Sequence, residues 1–193
     1  DAGFRIAAFV ELAKPRILAL VLVANAVGFY LALPLGSDWT ALVVLVHTLV
    51  GTALVVAGAN ALNQWAERDV DALMQRTRSR PLPAGRLTPR AALIFGLVTA
   101  SLGLMLLTLA VNPVAGVLAA ALLFSYLAIY TPLKRLSALC TLVGAVPGAL
   151  PPLIGWVGAR GALEPEAWAL FAILFLWQLP HFLAIAWVHR EEY

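Results

Sequence analysis

The sequence predicts an all-α fold, a polytopic bundle of six membrane-spanning helices, and three observations carry that prediction. Apolar residues fill 62% of the 193 positions and charged residues only 12%, where a soluble domain holds about 45–50% and about 25%. Six separate apolar stretches are each long enough to cross a hydrocarbon layer, which takes about 20 helical residues. The 13 lysines and arginines gather almost entirely on one side of those stretches. So little charge cannot build the polar shell of a soluble globule, and so much apolar residue excludes a disordered chain. One cysteine and three scattered histidines leave neither a disulfide framework nor a histidine-rich zinc site.

The stretches lie at about residues 17–35, 40–61, 91–111, 113–130, 137–157 and 168–188. Lipid offers no partner to backbone N–H and C=O groups, so each is expected as a helix that satisfies its own. The alternating short segments of a membrane β-barrel are absent from the sequence. Pro34 to Ser37 turns the chain after the first span, and Asp38 is placed to cap the second. Asn112-Pro113 joins the third and fourth spans as a tight antiparallel hairpin. Gly144, Pro147, Gly148, Pro151, Pro152 and Gly155 predict a kinked, thin fifth span. The Gly144–Gly148 spacing fits close helix packing as well as it fits room for a bulky planar ligand. Pro180 kinks the sixth.

Twelve of the 13 basic residues fall on one side. Arg5, Lys14 and Arg16 precede the first span, and Arg68, Arg76, Arg78, Arg80, Arg86 and Arg90 follow the second. Lys134 and Arg135 follow the fourth, Arg190 follows the sixth, and Arg160 alone lies opposite. Excess basic residues mark the cytoplasmic face, or the equivalent matrix side of an organelle, so the charged loops are expected there, with the bundle in a lipid bilayer such as the bacterial inner membrane.

One long polar segment exists, about residues 62–90. If the second helix continues beyond its apolar part, Asn63, Glu67 and Asp71 recur at i, i+4 and i+8 and form one stripe. Three oxygen-bearing side chains on a stripe make a ligand set for a hard cation. Mg2+ suits it best, since that ion takes one or two carboxylates and completes its shell with phosphate and water. Asp69 falls on the opposite face, where a neighbouring arginine can pair with it. Downstream, Arg76, Arg78 and Arg80 could hold diphosphate oxygens through forked hydrogen bonds, and Lys134 and Arg135 could do so from another helix end. Cation, diphosphate and basic clamp together describe stabilisation of departing pyrophosphate, and a bilayer setting suggests an isoprenoid diphosphate. A solvated interfacial loop resting on anionic lipid is the competing account, though it has no reason to align its oxygens. Nucleic acid is not expected as a partner, because Pro81, Leu82 and Pro83 interrupt the arginines and the run hugs the membrane.

The stripe Asn63-x-x-x-Glu67-x-x-x-Asp71, with Met74, Arg76-Thr77, Arg80-Pro81-Leu82 and Gly85, resembles the first metal-diphosphate motif of the UbiA superfamily of intramembrane prenyltransferases. Lys14-Pro15-Arg16, Tyr130-Thr131-Pro132-Leu133-Lys134-Arg135, the Gly144–Trp156 stretch and Trp177-Gln178-Leu179-Pro180-His181-Phe182 are similar to its haem-farnesylating branch, the protoheme IX farnesyltransferases or haem O synthases. The resemblance covers essentially the whole chain as one prenyltransferase domain. It implies transfer of a farnesyl group from farnesyl diphosphate to a vinyl group of haem B, addition of water and loss of pyrophosphate. It implies that Asn63, Glu67 and Asp71 bind Mg2+ and diphosphate, with Glu67 where the superfamily more often has Asp. A second acidic motif is expected after the sixth span, where the sequence offers Glu191 and Glu192, and Glu192 is the candidate second metal ligand. Measured against about nine helices in the family, six suggest an N-terminal fragment. Haem A synthase or terminal oxidase assembly is the partner implied by analogy.

Other residues carry two readings each. His181, after Pro180, could touch haem or orient the vinyl acceptor, since a histidine within a span is functional by default; a cross-helix hydrogen bond competes. Trp65, inside the acidic motif, could stabilise an allylic cation through its ring face, as could Tyr126, Tyr130 and Trp177, which also fit interfacial anchors. His47 is expected as an interhelical donor and Cys140 as a small apolar filler. Two rival functions stand beside the haem reading. One is a related prenyltransferase acting on a quinone precursor or chlorophyllide. The other is a non-enzymatic transporter or anion-binding module, which would need polar residues at mid-membrane depth.

Overall fold

A computed structural model describes residues 2–134, 136–137 and 139–188. Six helical segments in it are long and apolar enough to span a membrane, and no strand occurs among the described residues. A short helix α1 (Ala2–Leu12) precedes the first span, α2 (Pro15–Ala32). The second span is α3 (Trp39–Asp71), started by Asp38, whose carboxylate accepts from Thr40 N at 3.0 Å. The third is α4 (Pro89–Leu106), which runs on as a π-helical turn at Leu107–Val111. Thr88 caps α4 and Pro89 fills a first-turn position that needs no N–H donor.

The hairpin to the fourth span forms at Asn112, whose side chain accepts from Ala115 N at 2.9 Å and opens α5 (Pro113–Phe124). That span also loosens into a π-helical turn, Ser125–Tyr130, and closes with the single turn α6 (Thr131–Leu133). The fifth span is broken, as its prolines predict. Helix α7 (Cys140–Ala149) stops, and after Leu150 the helix α8 (Pro151–Arg160) starts on a proline pair. The sixth is α9 (Pro165–Val188).

The core centres on α8, where Leu153, Ile154 and Val157 are fully buried among Val55, Leu107 and Ala119. Close helix approach depends on absent side chains. A Cβ on Gly58 would lie 2.7 Å from Ala100 N and from Gly96 O, so α3 and α4 meet backbone to backbone. Inside the bundle Asn25 donates to Thr52 Oγ1 at 3.0 Å. His47 bonds the Val43 carbonyl of its own helix at 2.7 Å, so the expected interhelical bond gives way to an intrahelical one.

Two features place the polar end. Helix α3 has 33 residues, about 50 Å at 1.5 Å per residue, against a hydrocarbon layer of about 30 Å. Its last turns therefore rise out of the apolar layer carrying the acidic stripe. Around them a second small core forms from Ala8, Leu12, Ala61, Leu82, Leu87 and Ala92, with Phe9, Trp65 and Phe95 against it. The segment after α3 is thus a packed cap. It is turned by Gly85 at φ 69° and docked on α1, a helix too short for hydropathy to signal.

Candidate active site

The stripe forms. Asn63, Glu67 and Asp71 are 3%, 4% and 3% exposed, stacked over the last two turns of α3. Asn63 Nδ2 donates to Thr131 Oγ1 at 3.1 Å, and that hydroxyl donates to the Tyr126 carbonyl at 2.8 Å. The π-helical turn before α6 thereby fixes the amide. Lys134 Nζ donates to both Glu67 oxygens at 3.4 and 3.5 Å. Arg80 Nη1 donates to Asp71 Oδ2 at 2.7 Å, while Thr77 Oγ1 donates to the Asp71 carbonyl at 2.8 Å. Buried carboxylates at a helix C-terminus oppose the partial negative charge there, and removing them from water is costly without cations. Asp71 ends α3 in spite of that cost, which marks the stripe as a place built to receive positive charge.

A third cation lies in the same field and carried no role in the sequence reading. Lys14 links α1 to α2 at φ 54°, ψ 68°, the left-handed region, and is the sole non-glycine with positive φ among the described residues. Burial pushes its ammonium down to about 8, helped by Arg80 and Lys134 and opposed by Glu67 and Asp71. Sequence position concealed it, because only the docking of α1 brings it to the stripe. The available signal was the Lys14-Pro15-Arg16 segment, which the resemblance singles out without giving Lys14 a role.

The basic run divides. Arg80 faces the stripe, whereas Arg76 and Arg78 are exposed and make no ion pair among the described residues. Arg86 turns to α1, binding Glu11 at 2.6 and 2.9 Å and the Ser79 carbonyl at 2.6 Å. Asp69 pairs with Arg68 at 3.7 Å. Arg135, Glu191 and Glu192 lie outside the described residues.

The structure does not bring two further candidates to the stripe. Trp65 is two residues from Asn63, about 200° round the helix, and packs in the small core with the Arg68 guanidinium 5.3 Å from its ring centre. His181 is exposed on α9, stacked on Trp177 at 4.9 Å. The inward residue of that segment is Gln178, which is 7% exposed and donates to the Leu174 carbonyl at 3.1 Å. Tyr126 and Tyr130 stack at 5.5 Å. A Cβ on Gly144 would meet the Tyr130 ring at 2.7 Å, so that glycine serves packing here.

No group of three or more His, Cys, Asp or Glu forms among the described residues. The donor set is two carboxylates and an amide. Such a set is too small to cage a cation alone, and fits Mg2+ sharing its shell with phosphate and water.

An apolar helical bundle with a buried acidic stripe, faced by cations at one end, defines an integral membrane protein with a polar site at one end of its spans. The chain matches the UbiA prenyltransferase family over residues 19–193 and belongs to it. It is 48% identical over 191 residues to a protoheme IX farnesyltransferase of Solibacter usitatus, covering 96% of this chain and 65% of that one. It is 52% identical over 182 residues to one of Anaeromyxobacter sp., covering 94% and 60%. A UbiA homologue from Archaeoglobus fulgidus, solved bound to GPP and Mg2+, shares the fold with a TM-score of 0.71 at 21% identity, over 93% of this chain and 62% of that one. The chain therefore spans 60–65% of the length of these two relatives.

Proposed function

We propose that the protein transfers a farnesyl group from farnesyl diphosphate to a vinyl carbon of haem B, giving haem O, with its catalytic mouth on the cytoplasmic side of a bacterial inner membrane. The observation that carries the diphosphate half is the buried stripe Asn63, Glu67 and Asp71 faced by Arg80, Lys134 and Lys14. The acceptor half is supported by the names of the relatives.

Glu67, Asp71 and the Asn63 amide oxygen would hold Mg2+, which when bound supplies a Lewis acid for the diphosphate oxygens. In the described state each carboxylate already has a cation, Lys134 on Glu67 and Arg80 on Asp71. Lys134 and Arg80 would exchange a carboxylate partner for a phosphate one as the diphosphate binds, so that charge would stay balanced as the site fills. Lys14, Lys134 and Arg80 then stabilise the negative charge that grows as the C–O bond to the prenyl chain breaks. The allylic carbon bonds to the vinyl carbon, water adds its hydroxyl to the neighbouring carbon, and its proton leaves. Tyr126 and Tyr130, stacked beside the Asn63–Thr131 pair, give the cation an aromatic wall. Exposed Arg76 and Arg78 take part only by moving in. Haem A synthase or oxidase assembly would draw off the product.

The test supplies labelled farnesyl diphosphate to the protein in lipid, with haem B or with an aromatic acid, with and without Mg2+. Labelled haem formed only with Mg2+ is expected. Prenylation of the aromatic acid alone would replace the haem reading by the quinone-precursor one.

A further inference from the structure

Two buried amides on α3 do work that the stripe does not explain. Gln64 Nε2 donates to the Leu12 carbonyl at 2.8 Å, and Asn60 Nδ2 donates to the Ala13 carbonyl at 3.0 Å. The two side chains are 2% and 5% exposed, and burying such groups is costly unless they are hydrogen-bonded. Their acceptors are the last carbonyls before Lys14. On the other flank Arg86 holds the Glu11 carboxylate, and the Lys14 N–H itself donates to the Glu11 carbonyl at 3.0 Å. The corner at residues 11–14 is therefore gripped from α3 and from the cap.

A helix end that turns through the left-handed region usually does so on glycine. A side chain there is strained, and strain of that kind persists where the surroundings over-determine it, most often at functional sites. Glycine would serve the turn better than Lys14. What lysine adds is an ammonium on the corner that Asn60 and Gln64 tie to α3 at the level of Asn63.

We infer that Asn60 and Gln64 are positioning residues, which hold the Leu12 and Ala13 carbonyls so that Lys14 keeps its left-handed backbone and presents its ammonium to a diphosphate at the stripe. The inference rests on the diphosphate-binding reading above. Asn60 and Gln64 precede Asn63 and Glu67 on the same helix by one turn or less, so one rigid element would carry both the metal ligands and the grip on the cation opposite them.

Calorimetric titration of inorganic pyrophosphate with Mg2+ into the protein in lipid nanodiscs separates this role from a merely structural one. A folding defect lowers the number of sites, whereas a misplaced Lys14 lowers their affinity. Gln64→Met and Asn60→Leu are each expected to weaken pyrophosphate binding about tenfold, the loss of one charge-assisted contact, at near-full stoichiometry. Lys14→Met should do the same, and Lys14→Met with Gln64→Met should be no weaker than Lys14→Met alone. Unchanged affinity in both amide variants overturns the inference, as do losses that add in the double variant. If one amide variant folds poorly, affinity in its folded fraction and in the other variant decides. A parent protein that fails to bind pyrophosphate sinks the diphosphate reading itself, a different result that is visible before any variant is made.

Discussion

Asp71 concentrates the site's electrostatics in one side chain. It closes α3, where the helix field disfavours an anion, and is buried with Arg80 at 2.7 Å. Its backbone carbonyl is separately held by Thr77, so Asp71→Asn should leave the helix end and cap in place. That variant is expected to lose prenyl transfer by about 100-fold or more, the scale for removing a charge that acts on the transition state, with membrane insertion and protease resistance unchanged. Undiminished turnover would remove the metal role. Lys14 supplies a pH dependence. Its ammonium is lowered to about 8, so the cation is present below that pH and lost as pH rises through it. Pyrophosphate affinity should fall between pH 7 and 9 in the parent. Pyrophosphate's own protons act alike on all three proteins, so the fall should be shallower in Lys14→Arg, which stays charged, and in Lys14→Met, which is never charged, each read by calorimetric titration. At this scale the sequence told the stripe, because i, i+4, i+8 spacing is a helical property that needs no tertiary knowledge. It could not tell Lys14, which depends on how α1 docks. Trp65 and His181, singled out for nearness in sequence and for a polar atom in a span, lie away from the stripe, Trp65 in the small core and His181 beside Trp177.

Elements were legible in proportion to their length in lipid. Six spans follow from hydropathy and six appear, and the Asp38 and Asn112 caps follow from side chains that compete for backbone N–H groups. The break after Leu150 follows from two prolines in sequence. Helix α1, with 11 residues, has no such signature. The π-helical turns at Leu107–Val111 and Ser125–Tyr130 have no such signature either. Helix α3 shows how an element turns packing into function, since it must be straight and closely held by α4 for its polar end to stand at a fixed height. Gly58 sets that contact. Gly58→Val places carbon about where Ala100 N and Gly96 O stand, so the two backbones must part. Overpacking of this kind costs about 1–3 kcal/mol. The expected outcome is a clear drop in the thermal unfolding midpoint in detergent, whereas a midpoint unchanged from the parent would show the α3–α4 contact to be slack.

For the whole molecule, the charge distribution that first indicated a membrane protein also predicts its orientation. Up-and-down order puts Lys14, the α3 terminus, the cap and Lys134 at one end of the bundle. The other end gathers the Asn112 turn, whose side chain donates to the Val157 carbonyl at 2.9 Å, and the α8 terminus. Arg160, the lone basic residue of that far end, lies 3.7 Å from Glu164, so even this charge is offset locally. Exposed Trp39 and Trp168 start α3 and α9 at the same far end, at the level where indole rings settle beside headgroups. With 12 of 13 basic residues on the opposite side, turning the bundle over would carry the whole cationic site through the bilayer against the basic-residue bias that orients such proteins. A cysteine probe tests this directly. In a Cys140→Ser background, Ser79→Cys reports the cap and Ala162→Cys reports the α8–α9 turn, both at exposed positions. A membrane-impermeant maleimide added to intact cells should label Ala162→Cys at once and Ser79→Cys only after lysis. The reverse pattern would put the stripe on the outer face, away from a cytoplasmic supply of prenyl diphosphate, and would overturn the orientation together with the location proposed for the reaction.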